Sequence, residues 1–288
     1  MPHPVRWAEL LPDQFRQRQA DCPVVYLPMG LCEPHGHAAA FGLDTLKADW
    51  LCDEAARRFG GIVAPTQGYQ MHETGFHAPW LAEVLGDTNP LMTSMPPAIV
   101  LHHFLYQLRT FHNAGFRRAL VLSGHSGGNQ RDLRLAAEAF GHLSDLVVTV
   151  FSDPELVEGQ YVGDHAGRYE LSQLLYIRPD LVDLSRLERW REPDSLGRFA
   201  QGSDAAEATA AEGKAIMEAI LSGLNEALGT PEQGPVNRPF LPFQAIDDTY
   251  RRLLGRRSEW VTTAPWPDQP PTPDQSRWKA TESYDPTA

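Results

Sequence analysis

A strand, a loop, a helix and a second strand follow one another early in this chain, and that order limits its fold more than any other feature. Val24-Val25-Tyr26-Leu27-Pro28-Met29 is almost continuously apolar within the run from Pro23 to Gly30, which fits a strand covered on both faces. From Asp44 to Phe59 the residues Leu46, Ala48, Trp50, Leu51, Ala55 and Ala56 recur at mostly helical spacing, and Gly60-Gly61 ends the helix. Ile62-Val63-Ala64-Pro65 reads as the second strand. That order implies a right-handed crossover and a parallel sheet, so the expected class is α/β. The alternation continues. A helix is expected from Pro96 to Asn113, with Ile99, Val100, Phe104, Leu105, Leu108 and Phe111 on one face and Gly115 as its stop. A strand over Arg118–Ser123, a helix to about Phe140 and a strand over Leu146–Phe151 follow.

Other stretches are less regular. Residues 5–20 suggest a short surface helix. Residues 66–94 hold Gly68, His72, Gly75, His77 and Gly86 with little periodicity, and a loop of that length in a compact domain is usually functional or disordered. A helix is expected from about Ala166 to Leu175, irregular chain over 180–203, and an alanine-rich helix from Asp204 to Leu228 closed by Gly229-Thr230-Pro231. Residues 1–228 therefore read as one domain. Residues 229–288 read as a proline-rich C-terminal extension, wrapped or partly disordered.

The chain has 288 residues, 42% of them apolar, and a formal charge of −12. That length allows a sizeable core. The charge argues against sequence-independent binding to nucleic acid, which needs a basic face. Cys22, Cys32 and Cys52 are an odd set without a CxxC spacing and read as reduced thiols. No apolar stretch reaches the roughly 20 residues of a membrane span, and the N-terminus lacks an uninterrupted apolar leader core, so no membrane partner and a cytoplasmic location are expected.

Residues able to do chemistry gather after the strands. Glu33-Pro34-His35-Gly36-His37 follows the first strand, and Asp44 stands eleven residues beyond Glu33. In extended chain Glu33, His35 and His37 would project to one side. His125 lies just past the third strand, in Gly124-His125-Ser126-Gly127-Gly128-Asn129. His165 and Glu170 follow the fourth. Open parallel sheets hold ligands at this rim. Carboxylates and imidazoles together are what a hydrolytic metal centre uses, with a position left open for water. His165 and Glu170 stand about 140° apart on a continuous helix, so they share a centre only if His165 precedes the helix.

Plainer readings stand beside this one. The glycine-rich turn at 124–128 could cradle a phosphate, yet it lacks the Lys-Ser/Thr of a P-loop and the spacing of a dinucleotide fingerprint. Ser126 has no G-x-S-x-G elbow around it. His125 could be a satisfied half-buried histidine, His72 and His77 could be solvated or face substrate, and the pair His102-His103 suggests a surface feature.

Four segments resemble the creatininase (creatinine amidohydrolase) family. They are Leu27-Pro28-Met29-Gly30 through Glu33-Pro34-His35-Gly36 with Asp44-Thr45; Ala114-Gly115-Phe116-Arg117-Arg118 leading to Gly124-His125-Ser126-Gly127-Gly128-Asn129; Asp164-His165-Ala166-Gly167 with Glu170-Leu171-Ser172; and Pro179-Asp180-Leu181-Val182-Asp183. Their order and spacing match over roughly residues 23–185. The resemblance implies a three-layer αβα sandwich around a mainly parallel sheet, carried by residues 1–228. It implies a metal-dependent hydrolase of a small-molecule amide-type C–N bond, cyclic or linear, with metal-activated water as nucleophile. It implies one or two divalent ions per subunit (zinc, manganese or iron) and a homo-oligomer, often a hexamer. Glu33, Asp44 and His125 match one set of ligands, and His35 with the shared Asp44 matches the second. Glu170 matches an acidic position that completes the site, and His165 a histidine near the reacting group. His77, Ser126, Asp164 and Arg168 are the expected substrate contacts.

The departures are specific. Creatinine-hydrolysing members carry a tyrosine and a glutamate directly after the histidine matching His125, and that glutamate is a metal ligand. Here those places are Ser126 and Gly127, which leaves Glu170 to supply the second carboxylate and argues against creatinine as substrate. A histidine three residues beyond the His35 position is Ala38 here, with His37 as the candidate stand-in. A glutamate after His-Ala-Gly is Arg168, a charge that would favour an anionic substrate. The alternative functions are formamide or lactone hydrolysis at the same site, or non-catalytic binding of a small molecule.

Overall fold

Four parallel strands carry the molecule: β1 (Val24–Met29), β2 (Ile62–Val63), β3 (Arg118–Ser123) and β4 (Val147–Ser152), side by side in the order β2-β1-β3-β4. The structure, a computed structural model, describes residues 4–195, 197–230, 233–264 and 266–279. Every residue of β1 is buried, which explains its unbroken apolar run. Alternation sends Val25, Leu27 and Met29 to one face of the sheet and Val24 and Tyr26 to the other.

Helices cover both faces, as a parallel sheet requires. On the face of Val25 and Leu27 lie α4 (Pro97–Ala114) and α5 (Asn129–Gly141), with Phe104, Leu105, Leu108, Leu133 and Phe140 in the core. On the face of Tyr26 lie α2 (Leu43–Phe59) and α7 (Ala210–Leu228), through Leu51, Ala55, Ile216, Ile220 and Leu224. The architecture is the three-layer αβα sandwich of the α/β class. Around it stand α1 (Pro12–Asp21), α3 (Ala78–Val84), α6 (Arg168–Ile177) and α8 (Phe243–Gly255).

Several details differ from expectation. The helix expected over 5–20 is a 3-10 turn at Trp7–Glu9 followed by α1, which begins at Pro12; proline suits that first turn because it has no N–H to give. The long loop after β2 contains α3. Irregular chain was expected over 180–203, yet Leu184–Arg191 is a 3-10 helix. The segment after Gly229 contains α8, which packs on α4 and α5 and puts Ile246, Leu253 and the following Trp260 into the main core. The last nine residues of the extension, 280–288, lie outside the described residues. No helix among the described residues is long and apolar enough to cross a membrane.

Candidate metal centre

The chain passes from β1 through α2 to β2 on one side, and its next strand, β3, pairs on the other side of β1. Connections leaving β1 and β3 therefore diverge, and a crevice opens beyond their ends. The two strands end level, Met29 opposite Ser123. Glu33 and His35 come from the connection after β1, Asp44 from the first turn of α2, His125 from the turn after β3, and Glu170 from the first turn of α6. A Cβ on Gly124 would stand 2.0 Å from the Asp44 carbonyl oxygen. Only glycine lets the end of β3 press so closely on α2. The Ser123 hydroxyl donates to the His125 carbonyl at 2.6 Å and accepts from the Asn129 amide at 2.8 Å, which fixes that turn.

Extended-chain alternation does not place these groups. β1 stops at Met29, residues 36–38 form a turn, and Gly36 has φ 68°. His35 turns inward, whereas the His37 ring bonds the Gly197 carbonyl at 2.8 Å and does not stand in at the cluster.

The His35 ring is held by its Nδ1–H, which donates to the Glu33 carbonyl at 3.0 Å. In the neutral ring that bond fixes the tautomer and leaves Nε2 its lone pair for a cation. Nε2 lies 3.4 Å from Asp44 Oδ1 and 3.4 Å from Glu170 Oε2. His125 Nδ1 is 2.9 Å from Glu33 Oε1 and 3.5 Å from Asp44 Oδ2. His35 Nε2 and both Asp44 oxygens are buried without a hydrogen-bond partner. Buried polar atoms are rarely left so. Ligands about 2.1 Å from one ion stand roughly 3.0–3.4 Å apart, so these separations suit atoms that share a cation. Two of the groups that form, Glu33–Asp44–His125 and His35–Asp44–Glu170, share Asp44.

His165 precedes α6, whose cap is Gly167, so it reaches the same centre as Glu170. Its ring stacks on His35 at 4.7 Å and meets the edge of Trp80 at 4.9 Å. Its Nε2–H donates to the Pro34 carbonyl at 2.9 Å. It is only partly buried. Ala166 beside it holds φ 50°, and its N–H donates to Glu170 Oε2 at 2.8 Å. His77 joins the cluster, and His72, which the sequence leaves open, lies with Nε2 2.7 Å from Glu33 Oε2. Their rings stack at 4.4 Å.

Two expected substrate contacts are engaged elsewhere. Arg168 is paired with Glu212 at 2.7 Å and Glu207 at 3.1 Å on the surface, because the acidic start of α7 runs beside it. The Asp164 carboxylate accepts the N–H groups of Gly167, Tyr169 and Glu170, satisfying donors that a helix start leaves free. Ser126 is exposed. Likewise His102 is not simply a surface residue: it stacks on Tyr250 of α8 at 3.9 Å and meets Asp247.

Two residues were missed. Lys47 is buried, its ammonium 2.7 Å from Glu170 Oε1, 3.3 Å from Asp153 Oδ1 and 3.9 Å from Asp44 Oδ1. Asp153, just past β4, also accepts from the Tyr169 hydroxyl and the Gln173 amide, each at 3.0 Å. A signal for Lys47 existed, since it falls at i+4 between Leu43 and Leu51 on the buried face of α2.

Glu33, Asp44, Asp153 and Glu170 are buried carboxylates, and the buried ammonium of Lys47 meets only the last three. The imbalance shows in the imidazoles and in Glu33 and Glu170. Burial would drive the proton off His125, but Glu33 and Asp44 outweigh it and raise its pKa to about 10. Burial opposes the His35 proton too, and Asp44 and Glu170 hold it well above the ordinary value. Burial would push Glu33 up, but the imidazoles of His72, His125 and His165 hold it well below. Glu170 is lowered against the same burial by Lys47 and His35. Burial keeps His72 and His77 low, His77 well below the ordinary value. Without an ion, protons on His35 and His125 supply the charge the carboxylates demand; a divalent ion would supply it through the same lone pairs.

Known proteins resemble this chain along most of its length. Residues 8–228 match the family model described as Creatininase: Creatinine amidohydrolase. The creatinine amidohydrolase of Pseudomonas putida is 28% identical over 194 residues, covering 60% of this chain and 71% of that protein. A solved structure described as "Creatininase Mn" superposes with a TM-score of 0.63 at 26% identity, over 78% of this chain and 98% of that one. A mutant creatininase of Zn–Zn type gives 0.62 at 26% identity, over 78% and 97%.

Proposed function

The chain belongs to the creatininase family of amidohydrolases, and from that premise we propose that it is a metal-dependent hydrolase of a small-molecule amide-type C–N bond. One observation carries the reading: a buried set of carboxylate and imidazole atoms lacks hydrogen-bond partners and is spaced to share cations. Glu33, Asp44 and His125 would hold one ion, and His35, Asp44 and Glu170 a second. These donors fit zinc, manganese or iron, and the manganese and zinc forms of the related structures support the same assignment. When bound, such an ion makes water acidic near neutral pH and polarises a carbonyl.

The chain's own residues have separable tasks. Asp44 belongs to both sets, so it fixes their spacing. Lys47 and the Ala166 N–H hold the two Glu170 oxygens. His165, with one nitrogen on the Pro34 carbonyl and the ring partly open, would hand a proton to the departing nitrogen. Trp80 touches both His165 and His72 and forms an apolar wall that limits water. Arg168 is already paired and gives no ground for an anionic substrate. Assembly as a homo-oligomer, a hexamer on the family pattern, belongs to the same reading; light scattering would then give six times the 32.1 kDa chain mass.

Protein stripped by chelator and reloaded with zinc, manganese or iron should hydrolyse members of a panel of cyclic and linear amides. Turnover only of formamides or only of lactones would move the reaction to those bonds. No turnover of any of them by loaded protein would favour a binding role instead.

A further inference from the structure

We propose that His72, His77 and His125 form a further cation site, made of imidazole nitrogens and suited to a zinc-class ion. A nitrogen from each ring lies within 4.8 Å of the others. The His125 ring centroid is 5.0 Å from His72 and 5.6 Å from His77. All three rings are buried, yet His72 Nδ1, His77 Nε2 and His125 Nε2 have no hydrogen-bond partner. Histidines packed only as core residues satisfy their nitrogens. Three imidazoles with a fourth position left open is a known zinc arrangement, and magnesium or calcium would prefer oxygen donors.

The site is built, not incidental. A Cβ on Gly127 would stand 2.1 Å from His77 Cε1, 2.9 Å from His77 Nε2 and 3.0 Å from His125 Nε2. The two unpartnered nitrogens therefore face the same space beside Gly127, and only glycine leaves it open. The loop between His72 and His77 is pinned from outside. Thr74 and Phe76 both donate to the Thr262 carbonyl, and the Gln269 amide donates to the Phe76 carbonyl at 2.7 Å. His125 keeps Nδ1 toward Glu33; with an ion at each group the ring would bridge them as an imidazolate, its remaining N–H proton released to solvent. The site rests on the proposed function only in sharing that ring.

The test uses wild-type protein and the variants His77→Gln and His72→Gln, stripped by chelator, reloaded with zinc chloride and desalted. Circular dichroism confirms that each variant is folded. Elemental analysis should find one zinc per chain fewer in each variant than in wild type. An unchanged count in folded variants overturns the proposal. Crystals of zinc-loaded wild-type protein need no variant: an anomalous peak among the three rings supports the site, and peaks only beside Glu33, Asp44 and Glu170 overturn it. Neither readout depends on turnover, so failure of the amide panel would leave both results standing.

Discussion

Lys47 shows how one residue sets the terms for its neighbours. Its ammonium is the counter-charge for Glu170 and Asp153, and it stands within 4 Å of Asp44 as well. The Lys47→Met variant would keep most of the volume and leave two carboxylates buried without their partner. We expect a loss of about 3–5 kcal/mol in urea unfolding, the cost of breaking one side of a buried ion pair. A loss below about 1 kcal/mol, the value of an exposed pair, would contradict that role. Lys47 was legible only as an oddity within an apolar stripe, because nothing local to α2 names partners more than a hundred positions away. Glu33, His35, Asp44, His125 and Glu170 were easier to find. They follow strand ends, where the fold class itself directs attention. Asp164 and Arg168 were misjudged because a helix start and an acidic neighbour also attract such side chains, and sequence spacing does not separate those uses from ligand binding.

At the scale of elements, β1, β3, α2 and α4 were legible within a residue or two because burial writes long apolar runs or wide stripes. The helix α8 was not. It buries only Ile246, Thr249 and Leu253, a narrow stripe between proline-rich stretches. Its position matters to the site. After α8 the chain reaches Asp132 of α5, whose carboxylate accepts the N–H groups of Val261 and Thr262 at 2.8 and 3.0 Å. Thr262 in turn holds the loop that carries His72 and His77. The Asp132→Ala variant should lose about 1–3 kcal/mol of stability, because buried N–H groups are left unpaired. Hydrogen exchange across residues 72–77 should quicken at the same time. Unchanged exchange there would mean that the loop is held without this contact.

For the molecule as a whole, the formal charge of −12 gives little guidance, whereas the buried charge makes stability depend on pH. In metal-free protein His125 keeps its proton to about pH 10, against an ordinary value of 6.5, and His35 shifts the same way. Their contribution is complete below the ordinary value and is lost as pH rises through the folded value. Glu33 and Glu170 are shifted down, so their contribution is present above the ordinary carboxylate value and lost in acid. Metal-free protein should therefore melt at a lower temperature at about pH 9 than at about pH 6.5, and loading with zinc should remove or reverse that difference, since the ion takes the place of the protons. Equal melting temperatures at both pH values without metal would contradict the assignment.

The central claim is that ligands drawn from the ends of three strands meet at shared cations, and Asp44 is common to both sets. Metal content of purified, reloaded protein tests it most directly. Wild-type protein should carry at least one zinc, manganese or iron ion per chain after desalting, and a folded Asp44→Ala variant should lose ions from both sets. A wild-type chain that retains no ion, or an Asp44→Ala chain that keeps the full wild-type complement, would contradict the account.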